Sequence, residues 1–126
     1  MKNIIIEIGD LKLRAKLNGS QTAGALWDAL PIQSFTSTWG DEVYFQIPVK
    51  APLEKGFMAE TVEIGDLGYW PEGRCFCLFF GLTPVSKPGE IRPASAVNLS
   101  GKLESDWQVL KTVKEDQNVV IREDQG

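Results

Sequence analysis

The sequence predicts a mainly β protein, a closed antiparallel barrel of about eight strands capped by two short helices. Three observations carry this prediction. Apolar and polar residues alternate with period two in segment after segment, as strands with one buried face require. Gly-Asp pairs separate several of those segments where tight turns are needed. Only two stretches, near residues 20–30 and 105–113, switch to helical spacing, and two amphipathic helices suit the open ends of a barrel.

The first hairpin is written in full. Ile4, Ile6 and Ile8 alternate, then Leu11, Leu13, Ala15 and Leu17 follow with Lys12, Arg14, Lys16 and Asn18 on the opposite side. Gly9-Asp10 lies between them, and glycine at the first turn position supplies the positive φ of a type II′ turn. From residue 20 to 30, Leu26, Trp27 and Leu30 are spaced for one helix face, with Ser20 as the cap and Pro31 as the stop. Gly24 weakens that helix by about 1 kcal/mol against alanine, so packing must hold it.

Phe35 and Trp39 resume the alternation, Gly40-Asp41 turns the chain, and Val43, Phe45 and Ile47 return with Tyr44 and Gln46 between them. Residues 48–60 hold two prolines and no sustained period, which reads as a surface loop or edge segment. The pentapeptide EIGDL occurs at residues 7–11 and again at 63–67, and a second strand-turn-strand unit is expected there, Val62 and Ile64 entering and Leu67 and Tyr69 leaving. Residues 74–80 form the next strand, apolar on nearly both faces.

Three prolines in residues 81–95 exclude a helix or central strand and give a long, stiffened loop. Val97, Leu99, Gly101 and Leu103 form a strand, and Ser105 with Gln108 fits a capping box opening a helix with Trp107 and Leu110. Residues 118–122 close the chain as a strand, with a frayed tail at about 123–126.

The length of 126 residues fits one domain spanning 1–126. A net charge of −4 without any basic cluster argues against nucleic acid as a partner. Three isoleucines before Glu7 are too few for a signal peptide or a membrane span, so the expectation is a cytoplasmic protein. Without histidine, the two thiols of Cys75 and Cys77 are too few to hold a metal, and no catalytic triad or phosphate-cradling glycine loop is present. No metal or other cofactor is expected.

The runs VEIGDLGYWPEG and RCFCLFFG, the loop EIRPAS and the stretch VNLSGKLESDWQVLKTV resemble the small prokaryotic cyclophilin-like family over about residues 1–122. Phe79-Phe80 resembles the paired phenylalanines of a cyclophilin barrel strand. The resemblance implies a cyclophilin-type barrel. True cyclophilins rotate X-Pro bonds over a barrier of about 18 to 20 kcal/mol, using an apolar pocket and an arginine that stabilises the twisted amide. In them an arginine, a phenylalanine and a glutamine precede Gly-Gly-Asp; the matching LEKGFMAETVEIGDL keeps only Phe57, Met58 and Gly65-Asp66, with Lys55 in the arginine's place.

The reading that follows is a barrel binding a small molecule or a short, proline-containing peptide without isomerase activity. The alternative is a divergent isomerase with Arg92 or Arg74 as its catalytic arginine. Candidate ligand-binding residues are Phe57 and Met58, Tyr69 and Trp70 at a strand end broken by Pro71, Phe80 at the far end of the next strand, and the pair Glu90 and Arg92 on a proline-stiffened loop. Trp39 and Tyr44 are secondary candidates beside their turn, where cross-strand aromatic packing is the favoured explanation. The chain is expected to be a monomer or a homodimer built by edge-strand pairing.

Overall fold

The structure, a computed structural model, describes residues 2–125. Its elements in chain order are β1 (Asn3–Ile8), β2 (Leu11–Leu17), α1 (Gln21–Ala29), β3 (Ile32–Phe35), β4 (Ser37–Thr38), β5 (Glu42–Gln46), β6 (Met58–Ala59), β7 (Asp66–Trp70), β8 (Cys75–Phe79), β9 (Val97–Leu103), a 3₁₀ helix (Trp107–Thr112) and β10 (Asn118–Glu123). The strands form one antiparallel sheet in the order β3-β10-β1-β2-β9-β7-β8-β5-β4, with β6 added on β9. The mainly β barrel predicted from period-two alternation is therefore present, with two helices.

Both ends of that strand order belong to one stretch of chain. β3 pairs with β10 and β4 pairs with β5, and only Thr36 stands between β3 and β4. Thr36 bends the segment from one partner to the other and nearly closes the sheet on itself. Its backbone N–H donates to Gln117, its carbonyl accepts from Asp116, and its hydroxyl donates to the Lys114 carbonyl while accepting from the Gln117 N–H. Buried strand backbone must find partners, and here one residue satisfies both sides of the bend.

The interior follows the alternation. Ile4, Ile6 and Ile8, Leu13, Ala15 and Leu17, Val43 and Phe45, Leu67 and Tyr69, and Phe76 and Leu78 are buried in one cluster. Phe45 and Phe76 meet edge-on at 5.9 Å, a geometry worth about 0.5–1.5 kcal/mol beyond burial. Ala23 and Leu26 of α1 and Leu110 of the 3₁₀ helix enter the same cluster, so both helices close over the interior. Ser20 caps α1 as predicted, its hydroxyl accepting from the Ala23 N–H at 3.0 Å.

Local departures have local causes. The second helix is capped by Asp106, which accepts from the Gln108 N–H at 3.0 Å, because the Ser105 hydroxyl is taken by the Arg14 N–H at 2.7 Å. Phe35 faces outward and is 57% exposed, since β3 alternates with Ile32 as its buried residue. The two EIGDL copies diverge. In the first, Ile8 and Leu11 pair across a turn with Gly9 at φ +55°. In the second, Gly65 also has a positive φ of +91°, but Val62 bridges to Ile91 and the carboxylate of Asp66 accepts from the Glu63 N–H, giving a side-chain-held turn instead of a hairpin. At the C-terminus Glu123 pairs with Ile4 and the Asp124 N–H donates to Asn3, so the tail expected to fray at 123 is held through 124; Gly126 lies outside the described residues. Among the described residues no helix is long and apolar enough to cross a membrane.

Candidate functional site

A second apolar cluster lies on the outside of the barrel. β8 points Phe76 and Leu78 inward, so Cys75, Cys77 and Phe79 point outward, where they pack with Val62, Ile91 and Val97. The cover is the 81–95 loop. It holds its own shape: the Ser86 hydroxyl accepts from the N–H groups of Thr83 and Arg92 at 3.0 and 2.9 Å, and the Thr83 hydroxyl donates to the Arg92 carbonyl. The Val62 N–H donates to the Ile91 carbonyl and ties the loop to the segment before β7.

Between this loop and the sheet is a cleft of about 150 Å³. Glu42 and Tyr44 of β5 and Cys77 of β8 form its floor. Trp39, Trp70 and Val97 line it further, and Pro93 with Ala94 supplies the loop side. The Trp70 indole N–H donates to the Ser95 hydroxyl at 2.6 Å, and that hydroxyl donates onward to the Glu72 carboxylate at 3.1 Å. This relay fixes an aromatic ring and the end of the loop in one step. A Cβ at Gly73 would come within 2.5 Å of the indole, so a residue without a side chain is required beneath it.

Glu42 is the group that does not fit an ordinary hydrophobic cluster. It is 5% exposed, and its Oε1 is buried without a hydrogen-bond partner. Its register partner is Phe79, and its neighbours on that face are the cysteines of β8. Burial pushes its carboxyl from 4.5 up to about 7, with the adjacent Cys77 thiol pulling the other way. That thiol has a single proton to give, and the Cys75 carbonyl lies 3.8 Å away as a competing acceptor. Burial, followed by the charge of Glu42, raises both cysteines, so neither is a ready thiolate nucleophile.

Of the residues singled out in the sequence, the structure brings Trp70, Trp39 and Tyr44 together in this cleft. Tyr69 and Phe80 are buried in the barrel interior, where the Tyr69 hydroxyl donates to the Val49 carbonyl. Met58 is 55% exposed on β6, and Phe57 is half-buried beside it. Arg92 donates from Nε to Glu90 at 2.7 Å, with both side chains partly exposed. Arg74 is exposed at the β7–β8 turn with φ +52°.

Glu42, Cys77, Pro93, Ala94 and Val97 had no role in the sequence reading of a site. The signal for Glu42 was indirect. A strand apolar on both faces, as β8 is, must be covered on both, so the outward residues of its neighbour cannot all be in water.

Larger clefts carry less. One of about 330 Å³ between α1 and residues 50–54 is lined by Glu54. Its carboxylate already accepts from the N–H groups of Gln21 and Thr22 and from the Thr22 hydroxyl. Burial acts upward on that carboxyl, but these donors outweigh it and hold it below its usual value. What distinguishes the outer cleft is an unsatisfied acceptor.

A family model described as Cyclophilin-like matches residues 2–122. The hypothetical protein AF2241 from Archaeoglobus fulgidus, whose structure was solved in solution, is 37% identical, with 98% of this chain and 95% of that one covered and a TM-score of 0.80. McbB, solved in complex with tryptophan, has a TM-score of 0.70 at 16% identity and shares the fold; 98% of this chain spans 45% of it. No curated protein matches the chain in sequence.

Proposed function

The chain belongs to the cyclophilin-like family, and from that premise we propose that it is a binding barrel that takes a small molecule, or a short peptide through one ring-bearing group, in the outer cleft, without prolyl isomerase activity. The observation that carries this reading is the cleft itself: an apolar, aromatic-lined space bordered by a buried carboxyl, one of whose oxygens has no partner. Ligand sites are mostly apolar with a few convergent polar groups. A volume of about 150 Å³ is the size of a cavity that admits benzene, so one six-membered ring fits while substituents extend to solvent. McbB, part of which shares this fold, was solved in complex with tryptophan, a ring-bearing small molecule, and that is compatible with this reading.

The absence of isomerase activity rests on the groups that catalysis needs. Lysine at position 55 cannot reproduce a planar guanidinium. The Arg92 guanidinium is engaged by Glu90, and Arg74 is exposed at a turn; neither lines the aromatic cleft.

The test is an NMR titration with a panel of single-ring compounds and a proline tetrapeptide. Amide shifts confined to residues 42–44, 77 and 93–97, with unchanged cis/trans exchange of the peptide, are expected. Shifts centred on residues 50–54 or 90–92, or accelerated exchange, would overturn the reading.

A further inference from the structure

The Glu42 carboxyl lies in an aromatic cleft, and the residues lining that space include no lysine or arginine. The titratable groups around it are Cys77 and Cys75 on β8 and Tyr44 on its own strand, and none brings a positive charge. An acceptor left bare in such a place calls for a donor from outside. Carboxylate ligands are disfavoured, since they would meet Glu42 with like charge. The rings of Trp39, Tyr44 and Trp70 line the same space, and a desolvated cation is attracted to the faces of such rings. A carboxylate and three aromatic rings around a ring-sized volume match one class of ligand on both counts.

Resting on the reading of the cleft as a ligand site, we propose that it selects small primary or secondary amines carried on one ring, with the ammonium N–H donating to Oε1 of Glu42. The N–H requirement separates these from quaternary ammonium ions, which satisfy the rings but leave the oxygen bare. Recognition is coupled to protons. The carboxyl of Glu42 titrates at about 7 when the cleft is empty. Below that pH an ammonium ligand must displace the proton, so its affinity falls about tenfold for each unit of further acidification. A neutral ring compound lacks that dependence.

Isothermal titration of the intact chain with benzylamine, benzyl alcohol and benzyltrimethylammonium at pH 8 and pH 5.5 tests this, alongside the Glu42→Gln variant. At pH 8 benzylamine is expected to bind at least tenfold more tightly than either comparison compound. That preference should shrink at least tenfold at pH 5.5 and vanish in Glu42→Gln. If benzyl alcohol binds as well as benzylamine at pH 8, or if Glu42→Gln keeps the preference, the amine assignment falls while the cleft remains a site. If the parent chain binds none of the three, both the assignment and the proposed site fall. Glu42→Gln is nearly isosteric; if its amide spectrum departs from the parent fold, Glu42→Met put through the same titrations decides between these outcomes.

Discussion

The two faces of β8 teach different things. Inward, Phe76 and Leu78 are packed to 0% and 1% exposure among the residues of a barrel interior that has no need of a ligand. Outward, the same strand packs Cys75 and Phe79 into the second apolar cluster and sets Cys77, a small side chain, in the floor of the cleft beneath a loop that stands off far enough to leave a ring-sized space. The difference is one of side-chain volume against the distance of the cover. Large residues facing a closed barrel fill it, and small ones facing a propped loop leave room, so one strand serves stability on one side and recognition on the other.

The contrast breaks most visibly at Phe76. Phe76→Ala should cost about 3–5 kcal/mol in urea unfolding because the closed interior cannot collapse around the loss. Cys77→Ala, on the opposite face, should cost no more than about 1 kcal/mol, the removed atom bordering space that is already open.

Next in size is a pH effect. The native carboxyl of Glu42 titrates near 7 against 4.5 in a free chain, so between those values the folded protein keeps a proton that the unfolded one has released. Its favourable share of stability is complete below pH 4.5 and is lost as pH rises to 7, a fall of up to about 3 kcal/mol. Unfolding midpoints of parent and Glu42→Gln measured from pH 4.5 to 8 should therefore diverge upward in favour of the variant. Parallel curves would mean that Glu42 is solvated.

Smaller still, Ser95→Ala removes the relay between Trp70 and Glu72 and should lower stability by about 1 kcal/mol, while weakening ring binding severalfold because the loop side of the cleft is released. Arg92→Ala probes the rim, where neither face of β8 is touched. The Glu90 pair is part-exposed and such pairs are worth under about 1 kcal/mol, so thermal unfolding and ring binding should both change little.

The barrel was legible because its signals are local. Alternation of Ile4, Ile6 and Ile8 with Leu11, Leu13, Ala15 and Leu17 specifies faces and turn together, and Ser20 before an apolar-spaced run specifies a helix start. Identical pentapeptides nevertheless end in different structures. The local sequence supplies glycine at positive φ in both, but whether the flanking chain pairs with itself depends on Ile91, far along the sequence, capturing Val62. The site suffers from the same limit. Trp70, Trp39 and Tyr44 stand out as aromatics near turns, whereas Glu42, alternating with Tyr44 and Gln46 after a Gly-Asp turn, looks like any residue on a wet face. Its burial is decided by the 81–95 loop, which no pattern around position 42 announces.

Closure at Thr36 has a kinetic meaning. The residues that seal the seam from the other side, Lys114 and Gln117, lie 78 and 81 positions along the chain, so their contacts carry one of the larger loop-closure entropies in the molecule. The pairings β1–β2, β4–β5 and β7–β8 join neighbours in the chain, but this junction must wait until residues 78 and 81 positions apart have met. Thr36→Val, which deletes the hydroxyl bridge and keeps the shape, should thus speed unfolding while leaving the refolding rate nearly untouched, and the seam would be the last part of the barrel to set and the first to part.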